Sequence, residues 1–406
     1  MGMKKQDNIL IFVTSIKRAK FFKRLVTDVF YDKNIFFITY KKSVYDFLKD
    51  DFTNIYYLSD FKNCEIDNRL LNFVKFHQDE AILVDKKIGL FPCQKLINSY
   101  YYVSKCFYCF YKKFNIHYTF VFNGYGQYLE TSFRLISEFF NKKLLFFEIG
   151  NFSSKIFVDK KGVNAASSLM HKRLDMVKNF NESKFQRFKE GYLREKENFH
   201  YVPQSSNVKK EFLLKKLLDY NIKVEPSLLR VFVNKIKQKF VKKQISFDSI
   251  NIQELDYIFF PLQVSYDSQI LRFSSYNIFQ AIDKAYEIAK MKGLKLVIKP
   301  HPAELNLEVL EYAKSKDVYL VNENTYQLLK NSKEVITINS TVGLESFYYK
   351  PLTVLGETWY KKYANADKKI KDKILFNYLF NILVDGDYFN ENIKFDEIKI
   401  RSFLND

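Results

Sequence analysis

Two polar loops in the C-terminal third of the chain carry residue types suited to holding an anion. The apolar run 294–298 leads into the string KPHP, in which His301 stands between two prolines that restrict the backbone. The apolar run 334–338 leads into the string NST at 339–341, where a helix is predicted to begin. An imidazole, together with hydroxyls and the free N–H groups of a helix start, suits a phosphate. We therefore predict a phosphate site and, as the leading hypothesis, a nucleotide-sugar transferase; a structural histidine in a turn is the alternative.

A third polar loop follows the apolar run 257–262. Packed polar groups directly after a buried strand cost free energy unless they pair with each other or with a ligand. We favour a ligand-binding loop over a plain surface loop. Its amides, hydroxyls and carboxylate are the binding candidates, namely Gln263, Asp267, Gln269, Ser274 and Ser275. Glu345, one helical turn beyond the NST string, is a candidate contact to a ribose hydroxyl.

The N-terminal half offers weaker candidates after its own predicted strands. Asn123, Gly124 and Tyr125 form a glycine-containing turn that lets the backbone approach a ligand, although the third glycine of a dinucleotide fingerprint is missing. Glu148 ends a strand and is followed by a glycine, which is where open α/β sheets place working residues. Asp159 begins an Asp-x-x-Gly string that, by itself, is typical of a turn.

Alternating strands and helices must position these loops. We predict N-terminal strands at 8–14, 34–38, 81–84, 118–122 and 143–147, with helices at 15–28, 94–114 and 128–140. The C-terminal half repeats the pattern, with strands at 257–261, 294–298, 318–321 and 334–338 and helices at 275–292, 304–314 and 341–349. Such alternation predicts an α/β protein with parallel sheets covered on both faces.

The segment between the two halves is predicted to be helical and basic. Residues 205–247 contain 11 Lys or Arg against 3 Asp or Glu. Apolar residues recur there at helical spacing, at Leu213, Leu214, Leu217 and Leu218 and again at Phe232, Ile236 and Phe240. One interpretation is the solvated face of a connecting segment. The other is a basic amphipathic surface that docks on anionic lipid.

Bulk composition narrows the class of partner. A chain of 406 residues with 47% hydrophobic residues is long enough for two cores, and its formal charge of +19 favours anionic partners. Zinc-finger spacing and RNA-recognition strings are not found in the sequence, so an acidic substrate or an anionic membrane surface is favoured over nucleic acid. The four cysteines, Cys64, Cys93, Cys106 and Cys109, are predicted to be free, buried thiols.

Localisation follows from segments that the sequence lacks. Its N-terminus is polar, and no apolar stretch approaches the ~20 residues that span a bilayer. We expect a cytoplasmic protein that rests on the inner face of the membrane or is free in solution.

Four strings together resemble the KpsC and KpsS family of bacterial capsule polysaccharide proteins, which transfer β-linked Kdo (3-deoxy-D-manno-oct-2-ulosonic acid). They are FEIGNFSSKIFVDKKGVNAASS at 147–168, QVSYDSQILRFSSYN at 263–277, KPHP at 299–302 and TINSTVGLES at 337–346. The resemblance implies a GT-B architecture, in which two Rossmann-like domains face a cleft. It also implies CMP-β-Kdo as the donor, retention of anomeric configuration, a glycolipid or polysaccharide acceptor, and no metal cofactor.

The resemblance also implies roles for residues. Asp159 matches the carboxylate nucleophile, Glu148 the base that deprotonates the acceptor, and His301 the histidine at the leaving phosphate. The donor site would comprise Gln263, Asp267, Gln269, Ser274, Ser275, Lys299, His301, Pro302, Asn339, Ser340, Thr341 and Glu345. The acceptor side would comprise Asn123, Gly124, Tyr125 and Asn151. The family's Glu-Glu-Gly element stands here as Glu-Ile-Gly at 148–150, which puts the acceptor in doubt more than the donor.

The predicted domains are an N-terminal Rossmann-like domain at 1–168, a helical basic segment at 169–250, a CMP-sugar-binding domain at 251–385 and a tail at 386–406. Two other functions remain open at this stage. One is a GT-B glycosyltransferase that uses another nucleotide sugar, and the other is a basic membrane-docking scaffold without catalytic activity.

Overall fold

A computed structural model of the protein describes residues 6–177, 179–197, 221, 223–233, 236, 246–304 and 306–405. The chain folds into two compact units. Unit 1 comprises Met1–Ser168, Pro203–Val231 and Leu383–Asp406, and unit 2 comprises Leu169–Val202 and Phe232–Ile382. The predicted leucine-rich stretch at 213–218 lies outside the described residues, as does Phe240.

Unit 1 is built on a seven-stranded sheet. Its strands are β1 (Asn8–Phe12), β2 (Asn34–Thr39), β3 (Ile55–Tyr57), β4 (Tyr118–Phe122), β5 (Lys143–Ile149), β6 (Lys155–Asp159) and β12 (Val384–Asp385). They lie in the order β12-β6-β5-β4-β1-β2-β3. Strands β1 to β5 run parallel, whereas β6 runs antiparallel to β5 and to β12.

Helices cover both faces of this sheet. They are Ile16–Val29, Lys42–Leu48, Asn68–Phe76, Gln78–Ile88, Cys93–Lys113, Tyr128–Phe139 and Glu397–Asn405, with 3-10 turns at Leu58–Phe61 and Asn164–Ala166. The first helix buries Phe21, Phe22 and Leu25 against the sheet. Phe22 meets Phe147 of β5 edge to face at 5.6 Å between ring centroids. Strands that are apolar on both faces are typical of such a doubly covered sheet.

Unit 2 is built on a five-stranded sheet in which every pairing is parallel. Its strands are β7 (Tyr257–Leu262), β8 (Lys295–Pro300), β9 (Val318–Leu320), β10 (Glu334–Thr337) and β11 (Leu352–Val354), in the order β11-β10-β7-β8-β9. The helices are Glu182–Glu197, Ser268–Phe273, Ile278–Met291, Leu307–Lys314, Thr325–Asn331, Thr341–Glu345 and Lys368–Asn377, followed by a π-helical turn at Tyr378–Ile382. Shorter 3-10 turns lie at Ser168–His171, Ser346–Tyr348 and Lys361–Tyr363.

Both sheets share one strand order, which confirms the predicted α/β class and its two Rossmann-like halves. In unit 1 the first five strands lie in the order 3-2-1-4-5, and in unit 2 the order β9-β8-β7-β10-β11 is the same. The strand order of such a sheet reverses at one switch point, between β1 and β4 in unit 1 and between β7 and β10 in unit 2. Ligands bind outside the carboxyl ends of the strands at that point. The facing of the two halves across a cleft stays a prediction.

One predicted strand is wrong. Residues 81–84 belong to the Gln78–Ile88 helix, which ends at Gly89 in a left-handed conformation with φ of 75°. The apolar run is short enough to suit either structure, and its buried residues Ala81, Ile82 and Val84 follow a helical spacing. The three-residue edge strands β3 and β11 were not predicted.

The C-terminal residues do not form a separate tail. Strand β12 pairs with β6, and the Glu397–Asn405 helix buries Ile400 and Leu404 in the unit 1 core. The C-terminal residues therefore complete the sheet and the core of unit 1, although they are far in sequence from its other strands. Within the predicted segment at 169–250, the described residues belong to both units: 221 and 223–231 to unit 1, and 169–177, 179–197, 232–233, 236 and 246–250 to unit 2.

The prediction of four free cysteines is wrong for one pair. Cys64 and Cys109 form a disulfide, with their Cα atoms 5.8 Å apart, whereas Cys93 is free and exposed and Cys106 is free and buried. The two bonded residues are 45 positions apart, so the pairing depends on the packing of the Cys93–Lys113 helix against the loop that holds Cys64. The described helices include none long and apolar enough to cross a membrane.

Candidate functional site

The carboxyl edge of unit 2 is cross-linked at its switch point by two side-chain amides. Gln263 follows β7 and Asn339 follows β10. The Gln263 Nε2 donates to Asn339 Oδ1 at 3.0 Å, and the Asn339 backbone N–H donates to Gln263 Oε1 at 3.0 Å. The Asn339 amide also donates to the carbonyl of Gln269 at 2.9 Å. This network fixes the two loops that flank the switch point.

Asp267 joins the same network. Its carboxylate accepts from the Gln269 backbone N–H at 2.9 Å, which caps the short Ser268–Phe273 helix, and accepts weakly from Gln263 Nε2 at 3.4 Å. Burial raises the pKa of Asp267, while these hydrogen bonds and the nearby His301 oppose the rise. Three predicted binding residues therefore meet at one point.

The His301 imidazole is held in one tautomer. Its Nδ1 accepts a hydrogen bond from the Ala303 backbone N–H at 3.0 Å, so the neutral ring carries its proton on Nε2. Desolvation lowers the pKa of His301, although Asp267 and Glu304 act in the opposite direction. The ring is accordingly neutral at pH 7, with an Nε2–H that can donate to an anionic oxygen.

Glu304 is a site residue that the sequence interpretation missed. It is 2% exposed, and its two carboxylate oxygens accept from the backbone N–H groups of Ser265 at 2.5 Å and Asn306 at 2.8 Å. Its own N–H donates to the carbonyl of His301 at 2.8 Å. Glu304 thereby ties the loop after β7 to the loop after β8. The sequence did indicate that Glu304 lies near the site, because it is only two residues beyond KPHP.

Ser340 begins the Thr341–Glu345 helix as its N-cap. Its hydroxyl oxygen accepts from the Val342 N–H at 3.2 Å, which leaves the hydroxyl hydrogen to donate elsewhere. The Tyr360 hydroxyl donates to the Ser340 carbonyl. Gly343 makes this packing possible, because a Cβ there would lie 2.7 Å from the Tyr360 hydroxyl. The predicted Thr341 starts the helix beside Ser340.

Other predicted donor residues are not brought into this network. Lys299 Nζ donates to the Glu323 carbonyl at 2.6 Å, and burial lowers the Lys299 pKa. Glu345 pairs with Lys196 of the Glu182–Glu197 helix at 3.4 Å. Ser274 bonds locally to the Tyr276 backbone, and Ser275 and Pro302 are exposed.

The carboxyl edge of unit 1 is organised around Glu148. The Asn123 amide donates to Glu148 Oε2 at 2.7 Å, and the Ile149 N–H donates to Glu148 Oε1 at 3.0 Å. Asn123 and Gly124 both have positive φ, of 62° and 82°. A Cβ on Gly124 would lie 2.8 Å from Val121 Cγ1, so this turn requires glycine at its second position.

Asp159 lies on the same face of the sheet as Glu148. In the antiparallel pairing, Asp159 is opposite Phe146 and Glu148 is opposite Phe157, which separates the two acids by two residues, about 7 Å along the strands. Asp159 is 4% exposed.

The Asp159 carboxylate is held by its own loop. It accepts from the N–H groups of Lys161 at 2.7 Å, Gly162 at 3.2 Å and Ser168 at 3.2 Å, and from the Ser168 hydroxyl at 2.5 Å. Four donors stabilise a carboxylate and fix its direction. The same bonds also hold the loop after β6 in place. A test of Asp159 must therefore distinguish a catalytic role from this structural role.

Tyr125 and Asn151 lie near these acids in the chain's fold. The Tyr125 ring stacks on Phe146 at 6.0 Å between centroids, and its hydroxyl donates to the Lys161 carbonyl at 3.2 Å. Asn151 is half-buried in the turn between β5 and β6. The turn after β4 and the turn after β6 are therefore in contact.

The unit 1 switch point also holds residues that the sequence interpretation missed. Arg18 follows β1; its Nη1 donates to Thr14 Oγ1 at 2.6 Å and forms an ion pair with Glu130. Burial disfavours the charge of Arg18, but Glu130, Tyr388 and Glu148 outweigh it and raise the Arg18 pKa. An arginine six residues beyond the first strand of a Rossmann-like half was the sequence signal of this position.

A known protein family matches the part of the chain that contains most of these residues. Residues 142–368 match the model of a family described as capsule polysaccharide biosynthesis protein, and this range is more than half of the chain. The chain belongs to this family. The matched range contains Glu148, Asp159, His301 and the Gln263–Asn339 pair, whereas the first four strands of unit 1 precede it.

Individual relatives are more distant. The Escherichia coli capsule polysaccharide export protein KpsS is 34% identical over 126 residues, which cover 27% of this chain. The match spans 32% of that relative's length. Among the similar solved structures are two of KpsC from Thermosulfurimonas dismutans. The beta Kdo 2,7 transferase has a TM-score of 0.44 at 12% identity and covers 98% of this chain and 99% of that one. The beta Kdo 2,4 transferase has a TM-score of 0.42 at 13% identity and covers 71% and 87%.

Proposed function

We propose that this protein of capsule polysaccharide biosynthesis is a retaining glycosyltransferase that moves Kdo from CMP-β-Kdo to a glycolipid or polysaccharide acceptor. The observation that carries the proposal is the unit 2 switch point. There the Gln263–Asn339 pair fixes the loops after β7 and β10, and the Ser340 hydroxyl stands at the start of the helix after β10. The His301 imidazole, whose Nε2–H can donate, follows β8, on the other side of β7 in the sheet. Donors of this kind, fixed before the reaction, stabilise the charge that develops on a leaving phosphate.

The donor nucleotide would bind at this edge of unit 2. The His301 Nε2–H and the Ser340 hydroxyl would donate to the CMP phosphate, and the Gln263–Asn339 pair would hold the loops at a fixed separation. We expect no metal requirement, because these neutral donors offset the phosphate charge. Turnover that is unchanged by EDTA would support this expectation, and loss of turnover that Mg²⁺ restores would contradict it.

The chemistry would proceed by two displacements. In the first, a carboxylate oxygen of Asp159 attacks the anomeric carbon of Kdo, and the bond from that carbon to the phosphate oxygen breaks with its electron pair leaving on CMP. In the second, an acceptor hydroxyl attacks the same carbon, gives its proton to Glu148, and releases Asp159. Two inversions give net retention.

The decisive experiment looks for the covalent intermediate. The purified protein is incubated with CMP-β-Kdo without acceptor, digested, and analysed by mass spectrometry. We expect CMP release and a peptide carrying one Kdo on Asp159. An adduct on another residue, or no CMP release with any acceptor tested, would contradict the mechanism.

Nucleotide preference separates this proposal from transfer of another sugar. A ligand that binds only the folded state raises the melting temperature. We expect CMP to raise it more than UDP or GDP at equal concentration, and expect His301→Ala to reduce the shift with CMP because the phosphate loses a donor. A larger shift with UDP or GDP would favour a different nucleotide sugar.

A further inference from the structure

A tyrosine from the C-terminal segment lies at the carboxyl edge of unit 1. Ile156 of β6 pairs with Ile149 of β5 on one side and with Val384 of β12 on the other. Strand β12 therefore runs parallel to β5 and ends level with it, because both are antiparallel to β6. Tyr388 comes three residues after the end of β12. The C-terminal segment thus brings a phenol to the edge where Glu148 lies.

The Tyr388 ring packs on the aromatic side chain that ends β4. The ring centroids of Tyr388 and Phe122 are 5.0 Å apart. The guanidinium carbon of Arg18 lies 5.1 Å from the centroid of the same Phe122 ring. The residue after Phe122 is Asn123, whose amide donates to Glu148 at 2.7 Å. One aromatic side chain therefore supports the tyrosine and the arginine next to the residue that holds Glu148.

Arg18 fixes the direction of the Tyr388 hydroxyl. The guanidinium is itself held by Thr14 Oγ1 at 2.6 Å and by the Glu130 carboxylate, and it shares a hydrogen bond with the Tyr388 hydroxyl. Arginine has no acceptor atom, so the phenol oxygen accepts this bond and the phenol hydrogen is left to donate elsewhere. Burial and the nearby Glu148 raise the pKa of Tyr388 more than Arg18 lowers it, so the phenol keeps its hydrogen at neutral pH.

Core packing explains the ring of Tyr388 but not its hydroxyl, since a phenylalanine would make the same contact with Phe122. The hydroxyl is a donor near the Glu148 carboxylate, which is an acceptor. A donor and an acceptor side by side match two neighbouring oxygens of a polyol. Arg18 and Tyr388 both lie outside residues 142–368, so the family match does not assign them a role.

We propose that Tyr388 is a specificity-determining residue for the acceptor and that Arg18 positions it. The Tyr388 hydroxyl donates to an oxygen on the carbon next to the attacking hydroxyl, and thereby holds the attacking hydroxyl at Glu148. The proton of the attacking hydroxyl goes to Glu148, and Tyr388 neither gains nor loses one. The acceptor is accordingly a vicinal diol, as in a sugar ring or in glycerol. The inference rests on the proposed transferase function, because it assigns the acceptor of that reaction.

Acceptor kinetics of the full chain with CMP-β-Kdo test the inference. The acceptor probes are the methyl β-glycoside of Kdo and phosphatidylglycerol in detergent micelles, which separate a sugar diol from a glycerol diol. Tyr388→Phe should raise the acceptor KM by about tenfold, a loss typical of one hydrogen bond. Arg18→Lys should raise the same KM, because lysine keeps the charge but lacks the rigid fork that reaches several partners.

Two further measurements separate acceptor recognition from a packing defect. The Kdo adduct on Asp159 forms before the acceptor reacts, so Tyr388→Phe should leave the rate of adduct formation unchanged. A matched acceptor analogue lacks the oxygen next to the attacking hydroxyl, as in the 1,3-propanediol analogue of phosphatidylglycerol. The unaltered protein should show a KM about tenfold higher for the analogue, whereas Tyr388→Phe should not distinguish the two acceptors.

Tyr118→Phe is the matched control. Tyr118 is also half-buried in unit 1, but its hydroxyl donates to the Leu404 carbonyl at 3.1 Å, at the amino end of β4. This variant should keep the acceptor KM of the unaltered protein, and thermal unfolding checks the fold of every variant.

Three outcomes overturn the inference and leave the transferase proposal standing. They are an unchanged acceptor KM in Tyr388→Phe, an equal rise in the Tyr118→Phe control, and CMP release without transfer to either probe. Absence of CMP release from the unaltered protein is a different result, since it overturns the proposed function and the inference together.

Discussion

The two units share a strand order but differ in the chemistry of their carboxyl edges. In unit 2 the loops at this edge are joined by the amides of Gln263 and Asn339 and by the buried carboxylate of Glu304, and His301 adds an imidazole. In unit 1 the edge holds Glu148 with the guanidinium of Arg18 nearby, while Asp159 lies on the same face of the sheet, opposite Phe146 in the middle of β5. We propose that one scaffold serves phosphate recognition in unit 2 and carboxylate chemistry in unit 1, because the side chains decide function and the sheet does not.

The largest expected effect tests the carboxylate chemistry proposed for Asp159 in unit 1. Asp159→Asn should lower kcat by at least about 10³-fold, since the amide cannot form the covalent intermediate. The amide oxygen can still accept from the Lys161 and Gly162 N–H groups, so the loop should survive. CMP release measures the rate, and thermal unfolding checks the fold.

Asp67→Asn is the control for Asp159→Asn. Asp67 also accepts from a backbone N–H, that of Leu70, as the N-cap of the Asn68–Phe76 helix. It should retain turnover. A rate for Asp159→Asn within tenfold of the unaltered protein would place the nucleophile elsewhere and remove the contrast between the two edges.

The next effect tests the phosphate site proposed for unit 2. His301→Ala should lower kcat/KM by about 10²-fold, the loss typical of removing one preorganised donor from a developing charge. Because the His301 pKa is lowered, the ring stays neutral and the unaltered enzyme should show no loss of rate from His301 titration between pH 7 and 9. Steady-state kinetics from pH 5 to 9 measures both. A rate that rises as His301 becomes protonated would show that a charged imidazole does the work.

A smaller effect tests how Glu304 holds together the loops at the carboxyl edge of unit 2. Glu304→Ala should lower the free energy of unfolding by about 1–3 kcal/mol, because the buried N–H groups of Ser265 and Asn306 lose their acceptor. Glu304→Gln keeps one acceptor oxygen and should lose less. Urea denaturation measures both variants. Equal stability of all three proteins would mean that the tie between the β7 and β8 loops contributes nothing.

The last effect concerns pH and the buried carboxyl group of Asp85 in unit 1. Asp85 is 3% exposed and accepts from the Tyr128 N–H at 2.6 Å, and burial raises the pKa of Asp85 to about 7. A raised carboxyl pKa means that the folded state holds the proton more tightly, so this group lowers stability as pH rises from 4 to 7 and has no further effect above 7.

Asp85→Asn removes that titration. The stability of the variant relative to the unaltered protein should therefore rise with pH in this window, by at most about 1.4 kcal/mol per pH unit. Urea denaturation at several pH values measures the difference. A difference that does not change with pH would show that Asp85 is charged without penalty.

Much of the architecture could be predicted from sequence because its signals are local. Apolar runs ending in polar residues marked eight of the twelve strands in the described part of the chain, and the loops after β7, β8 and β10 contain the network in unit 2. The run at 81–84 was misassigned because four apolar residues suit a strand or a helix equally. Glu304 and Arg18 were missed because their roles depend on partners in other loops.

The order of residues along the chain sets where each strand ends, and hence which side chains reach the carboxyl edges, because a buried strand must be apolar and a loop must follow it. Which of those residues meet depends on the tertiary fold. It paired Gln263 with Asn339 across 76 positions and Asn123 with Glu148. It placed the Lys299 ammonium on the Glu323 carbonyl and brought Cys64 and Cys109 close enough to form a disulfide. Strand order and helix packing set these distances, and neither is encoded in the spacing of residues along the chain.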